Sequence, residues 1–226
     1  MKWAVAVIVV LVLIIIVLAS MGRQMQKPKT RQEYLEELAD FLEGQLDAMT
    51  EYPDSFRISF KFENRDFEFQ DLRQEGFNVV TYKGYLRTKT KGSLTINFTE
   101  KPRGAVRSQI VLASDIPTQK VEGLVVPKKL DKFNIFANDV FIANALFGNE
   151  AALSVLTKLR YQDDRGHPIM PLMIRDGWIS LEFTPLITVK PNLSDLRDNV
   201  TLSDHYAAGL LLLADFIDRK EDEKQK

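Results

Sequence analysis

Hydrophobic positions change their spacing several times along the chain, and each change predicts a different element. Residues 3–19 are apolar without interruption, and with Ser20 and Met21 the run reaches the roughly 17–25 residues that cross a bilayer core as a helix. In lipid the backbone has no partner but itself, so the many Val and Ile residues do not prevent a helix there. Thr30 followed by Glu33 has the pattern of a capping box, and Tyr34, Leu35, Leu38, Phe41, Leu42, Leu46 and Met49 follow at helical spacing. The expected element is one amphipathic helix ending near Tyr52-Pro53, with an acidic outer face of Glu33, Glu36, Glu37, Asp40, Glu43 and Asp47.

After Pro53 the period becomes two. Phe56, Ile58, Phe60 and Phe62 alternate with polar residues, and Phe67 and Phe69 resume the alternation after a turn read at Asn64-Arg65, which predicts a β-hairpin with one aromatic face. Residues 79–99 read as two further strands joined at Lys91-Gly92, and residues 109–112 and 120–126 as additional short strands. Residues 133–136 read as a strand, Asn138-Asp139 as a helix cap, and 140–147 and 150–161 as two helices broken at Gly148. A turn at 163–166 precedes a strand at 169–174. Asp176-Gly177 is a strong type I′ hairpin signal before another strand at 178–183. Residues 184–199, with Pro185, Pro191 and Asn192, read as an irregular excursion. A last helix starts at a Thr201 or Ser203 cap and carries its apolar stretch from Leu210 to Ile217.

The expected class is α+β: an N-terminal transmembrane helix, an amphipathic helix, and antiparallel β-hairpins with helices packed on one face. The chain divides into an anchor (1–22), a basic linker (23–29), one globular domain (30–218) and a charged tail (219–226) expected to be frayed and solvated. Trp3, Leu11, Ile15 and Leu18 represent the lipid-facing anchor. The competing reading is a cleaved signal peptide, with Lys2 as its basic start and Ala19 at the small-residue position, but the apolar run is long for one.

Composition narrows the chemistry. The chain has 226 residues, 45% hydrophobic and 27% charged, with 30 Lys and Arg against 31 Asp and Glu. A net charge of −1 gives no general attraction to polyanions, so no nucleic-acid partner is expected. Cysteine is absent, which removes disulfides, zinc thiolates and a thiol nucleophile. Local charge matters more. Arg23, Lys27, Lys29 and Arg31 follow the apolar run, and the more basic flank of a span stays in the cytoplasm by the positive-inside rule. A second basic group, Lys83, Arg87, Lys89, Lys91, Lys101, Arg103 and Arg107, stands against one acid, Glu100. Lys89, Lys91 and Arg103 are therefore candidates, with the linker residues, for contact with anionic lipid. The bland reading gives these side chains the ordinary work of solubilising sheet edges or pairing with nearby acids.

The words Tyr82-Lys83-Gly84-Tyr85, KFNIFANDVFIANALF and IRDGWISL, in this order behind an anchor and an acidic helix, resemble the bacterial membrane-anchored family catalogued as domain of unknown function 3137. The resemblance covers roughly Thr30 to the last helix. It implies a strand ending in Asp before a helix, a later hairpin with an Asp-Gly-like turn, and a membrane context, although many members carry two spans. It implies no activity.

No nucleophile elbow, P-loop, dinucleotide fingerprint or zinc helix occurs. Asp163, Asp164 and His167, with Asp204 and His205 as distant partners, are the best acid/base or metal candidates, and a solvated turn explains them better. No catalytic residue, metal or cofactor is assigned. The expected function is a membrane-tethered, noncatalytic interaction or scaffold domain on the cytoplasmic side, with membrane lipid and a protein in the same membrane as partners. The alternative is a membrane-tethered sensor or hydrolase using carboxylates that the sequence does not group.

Overall fold

The computed structural model describes residues 30–76, 79–101, 122–162, 168–183 and 206–226. The anchor residues Trp3, Leu11, Ile15 and Leu18, the linker residues Arg23, Lys27 and Lys29, the 109–112 strand, Arg103, Arg107, the 163–167 turn with His167, the 184–199 excursion and His205 lie outside that set.

The described chain is α+β, with four α-helices and an eight-stranded antiparallel sheet. The helices are α1 (Arg31–Phe41), α2 (Val140–Gly148), α3 (Glu150–Leu159) and α4 (Ala208–Lys224). The strands are β1 (Gln45–Ala48), β2 (Phe56–Phe62), β3 (Arg65–Gly76), β4 (Val79–Lys89), β5 (Ile96–Glu100), β6 (Phe133–Ala137), β7 (Tyr161–Gln162), β8 (Pro168–Ile169), β9 (Leu172–Arg175) and β10 (Trp178–Phe183). The sheet order is β1-β2-β3-β4-β10-β9-β5-β6, and β7 and β8 pair only with each other.

The predicted capping box forms: the Glu33 amide donates to Thr30 Oγ1 at 3.2 Å, and the Thr30 amide donates to Glu33 Oε2 at 2.7 Å. The helix that follows is shorter than its apolar stripe implied. It ends at Phe41, Glu43 takes a left-handed φ of 51°, and the Gly44 amide closes the end on the Ala39 carbonyl at 2.8 Å. Leu46 belongs to strand β1. Gly44 is needed at this corner, because a Cβ there would stand 2.8 Å from the Ser59 carbonyl oxygen of β2.

Period-two alternation then builds the core. Register carries one row across the sheet, Phe60–Phe67–Thr88–Ile179–Ile174–Ile96–Ala137, and every residue in it is buried. The Thr88 hydroxyl, the polar member, donates to the Asp66 carbonyl at 2.7 Å. A parallel row runs Ile58–Phe69–Leu86–Leu181–Leu172. The helices cover this face: α1 packs on β1 and β2, α4 on β4 and β10, and α2 and α3 against α4. All contribute to one hydrophobic core.

Several sequence expectations need correction. The β2–β3 turn is Glu63-Asn64, both with positive φ, so Arg65 opens β3 rather than closing the turn. Strands β4 and β5 are not neighbours, because the β9–β10 hairpin lies between them. Residues 122–126 form a turn and loop rather than a strand. The charged 219–224 segment is helical and docked: Lys91 Nζ reaches Asp222 at 2.8 Å, and Lys224 pairs with Asp139. Other expectations hold. Asp176 and Gly177 both have positive φ in the β9–β10 turn, and Asp139 caps α2 by accepting from the Ile142 amide at 3.0 Å. Asn149 separates α2 from α3 and caps the latter.

No single helix among the described residues is long and apolar enough to cross a membrane. The α2–α3 pair has the length and composition, but it bends by 88° and buries Ile142, Leu146 and Leu156 inside the domain.

Candidate functional site

The other side of the sheet bears none of the described helices, and its described side chains are mostly polar or aromatic, with Met173 an exposed apolar one. The alternation that sends Leu86 and Thr88 inward sends Lys83, Tyr85, Arg87 and Lys89 of β4 outward. Register then sets Glu68, Arg87, Ser180 and Met173 in one outer row, and Arg57, Gln70, Tyr85 and Glu182 in the next.

Arg87 organises this face. Its Nε and Nη2 donate to Glu68 Oε2 at 2.9 and 2.6 Å, and the buried Gln70 amide, with its oxygen turned to Arg87, accepts from Nη2 at 2.6 Å. Held in this way, the guanidinium lies 4.1 Å from the centre of the Trp178 ring. Lys89 Nζ stands 5.2 Å from the same ring, so two cations share one indole. Beside them, Tyr85 Oη donates to Glu182 Oε2 at 3.3 Å, and Lys83 Nζ pairs with Glu182 at 2.8 Å. Burial, followed by the charge of Glu182, pushes the Tyr85 phenol above its ordinary range, so it remains a neutral donor at physiological pH.

The basic residues singled out in the sequence separate in space. Arg31 does not join a surface patch: its guanidinium pairs with the buried carboxylate of Asp71 and stacks 3.2 Å from the Tyr82 ring centre. Lys91 is exposed, paired with Asp222, and its pKa is raised by that hydrogen bond. Lys89 belongs to the Trp178 cluster. Of the outer-face set, Trp178, Tyr85, Glu68 and Gln70 escaped the reading of the sequence as functional residues. The available signal was the period-two placement of Lys83, Tyr85, Arg87 and Lys89, opposite in phase to Leu86.

The arrangement offers a polar and aromatic surface with paired charges. Positive and negative groups alternate, which fits a protein surface better than a polyanion. Among the described residues, no group of three or more His, Asp or Glu converges as a metal site would require. An open depression of about 610 Å³ at the β1 edge includes Glu43, Lys61, Asp66 and Glu68. Lys61 lies 3.7 Å from Asp66, and Glu68 is taken by Arg87, so these acids already have cationic neighbours. Comparison of the chain with family models, with curated proteins and with solved structures finds no match.

Proposed function

We propose that this chain is a membrane-tethered, noncatalytic interaction domain, anchored by residues 3–19 with its globular part on the cytoplasmic side. In this reading the outer face of the sheet receives a protein partner in the same membrane. The observation that carries it is the ordered Arg87–Trp178–Lys89 set on a sheet face free of described helices. Trp, Tyr and Arg are the residue types that dominate binding energy at protein interfaces, and they contribute most when their conformations are fixed beforehand. Here Glu68 and Gln70 fix Arg87, and Arg87 in turn fixes the plane against which Trp178 rests. Mixed charge around a flat indole calls for a partner that offers both acids and bases beside an apolar or aromatic contact.

The test places a photoreactive residue at Met173, which lies on the outer face and is 43% exposed, in the full chain in its native membrane. A discrete adduct is expected from this position, lost on Trp178→Ala and absent when the probe sits at the exposed helix residue Phe141. Equal adducts from positions 173 and 141, or an adduct indifferent to Trp178→Ala, would remove the outer face as the interface.

A further inference from the structure

The segments on either side of β6, the last described strand in the sheet order, leave apolar side chains in water. Ahead of β6, Leu124 packs on the core and Leu130 is fully buried, so the chain between them is pinned at both ends while Val125 and Val126 stay 69% and 37% exposed. Behind β6, α2 turns Ile142, Ala143 and Leu146 inward and leaves Phe141 59% exposed. Asn144, one helical turn on from Phe141, joins the two segments. Its Oδ1 accepts from the Val125 amide at 2.8 Å, and its Nδ2 donates to the Gly123 carbonyl at 2.9 Å. The three exposed side chains therefore belong to one surface that buried anchors and two hydrogen bonds hold together. Exposed apolar groups clustered in this way mark a contact site.

The charges that border this surface are mostly cationic. Helix α2 itself has none. Lys128 and Lys129 follow Pro127 in a short 3-10 turn, and both are exposed, as is Lys132. Arg160 Nη1 donates to the Lys129 carbonyl at 2.6 Å, which holds a fourth cation beside them. Against these stand Glu122 and Asp131 of the same stretch. Asp139, at the cap of α2, is already paired with Lys224. Protein interfaces are depleted of Lys, whereas surfaces that rest on a bilayer combine apolar groups with basic residues that meet anionic headgroups. Valine and phenylalanine beside a row of lysines have the second composition.

We propose that Val125, Val126 and Phe141, with Lys128, Lys129 and Lys132 beside them, form an interfacial contact for an anionic lipid surface. The apolar side chains enter the headgroup region, and the lysines meet the anionic groups of the lipids. An irregular loop stays out of the hydrocarbon core, where its backbone groups would find no partners, so the contact is shallow. It uses none of the outer-face residues of the sheet and does not depend on the span read at residues 3–19. Combined with that span, it gives the domain a second point of attachment and so a fixed orientation on the membrane.

The absence of cysteine makes the test direct. In the full chain, Val125→Cys and Lys61→Cys each carry a fluorophore, and quenching by headgroup-labelled lipid is read on vesicles of phosphatidylcholine and phosphatidylserine. Lys61 lies on β2, six strand spacings from β6 or about 29 Å across the sheet. The label at 125 is expected to be quenched several-fold more than the label at 61. The difference should shrink as salt is raised from about 0.1 M to about 1 M, over which the Debye length falls from about 10 Å to about 3 Å, and should vanish in Lys128→Glu/Lys129→Glu. Vesicle-bound chain with equal quenching at the two positions, or with a difference that ignores the two Glu substitutions, would overturn the lipid contact. A label at 125 shielded only when chains are dense on the vesicle would also overturn it and would make a second copy the occupant. Carbonate washing separates this contact from the span. Chain that the wash strips off, although its label at 125 is quenched at neutral pH, keeps the contact and removes the span; chain retained with an unquenched label does the reverse.

Discussion

Removing water from Arg31 and Asp71 costs more than their mutual attraction returns. Burial raises the Asp71 carboxyl to about 6 against the opposing pull of Arg31, and burial also lowers Arg31. Arg31 Nε is buried without a hydrogen-bond partner, which adds to the penalty. Removing the cation leaves the buried carboxylate unpaired, so Arg31→Met should destabilise the domain at pH 7 by roughly 3–5 kcal/mol, whereas the apolar pair Arg31→Met/Asp71→Leu should stay near wild type. The folded-state pKa of Asp71 lies above its unfolded value of 3.8, so its contribution is complete below about pH 4 and is lost as pH rises through about 6. Relative to the double variant, the wild type should therefore gain stability between pH 7 and pH 5. Thermal unfolding of the detergent-solubilised chain at the two pH values measures this, and a wild type that loses ground on acidification would show that Arg31, not burial, controls Asp71. Sequence pattern placed Arg31 with the linker cations although the Thr30 capping box already put it in the first turn of a helix. Its partner stands forty residues away in a strand, a pairing that only the register reveals.

At the scale of elements, local signals were legible where the chemistry is local. The Thr30, Asp139 and Asn149 caps and the Asp176-Gly177 turn each depend on a few adjacent residues, and all are present. The end of α1 was not legible, because Leu46 and Met49 continue the helical spacing although Glu43 and Gly44 stop the helix. The tail was misjudged for a different reason. Its charges suggested a solvated end, yet Asp222 meets Lys91 and Lys224 meets Asp139, both far away in sequence. Arg65, at the β2–β3 turn, donates to the Lys89 carbonyl and to both Asp215 and Asp218 of α4, and so ties three elements together. With its side chain 19% exposed and Asp218 at 14%, this cluster is partly shielded from water, whereas Lys91 and Asp222 are about half exposed. Arg65→Ala should cost roughly 1.5–3 kcal/mol, the range of hydrogen bonds to charged groups, and Lys91→Ala, at an exposed pair, should shift the midpoint less. Urea midpoints for the two variants decide this, and equal midpoints would mean that α4 is held by its apolar face alone.

The whole molecule follows a rule that no local pattern states: one face of the sheet is buried by helices, and the other carries mixed charge and aromatic rings. Alternation along each strand foretold two kinds of face. It did not foretell that the β9–β10 hairpin enters between β4 and β5, and that insertion brings Trp178 beside Arg87 and Lys89. The candidate face was therefore readable as a phase within β4 but not as a cluster. In the proposed reading, residues 3–19 hold the domain at the membrane and the outer face of the sheet receives the partner. Alkaline carbonate extraction of membranes that contain the full chain tests this most directly, together with the mass of its N-terminus. The account predicts protein that stays in the membrane pellet with residues 3–19 intact, and release once that segment is deleted. Protein freed into the supernatant with a new N-terminus at Ser20 would contradict it.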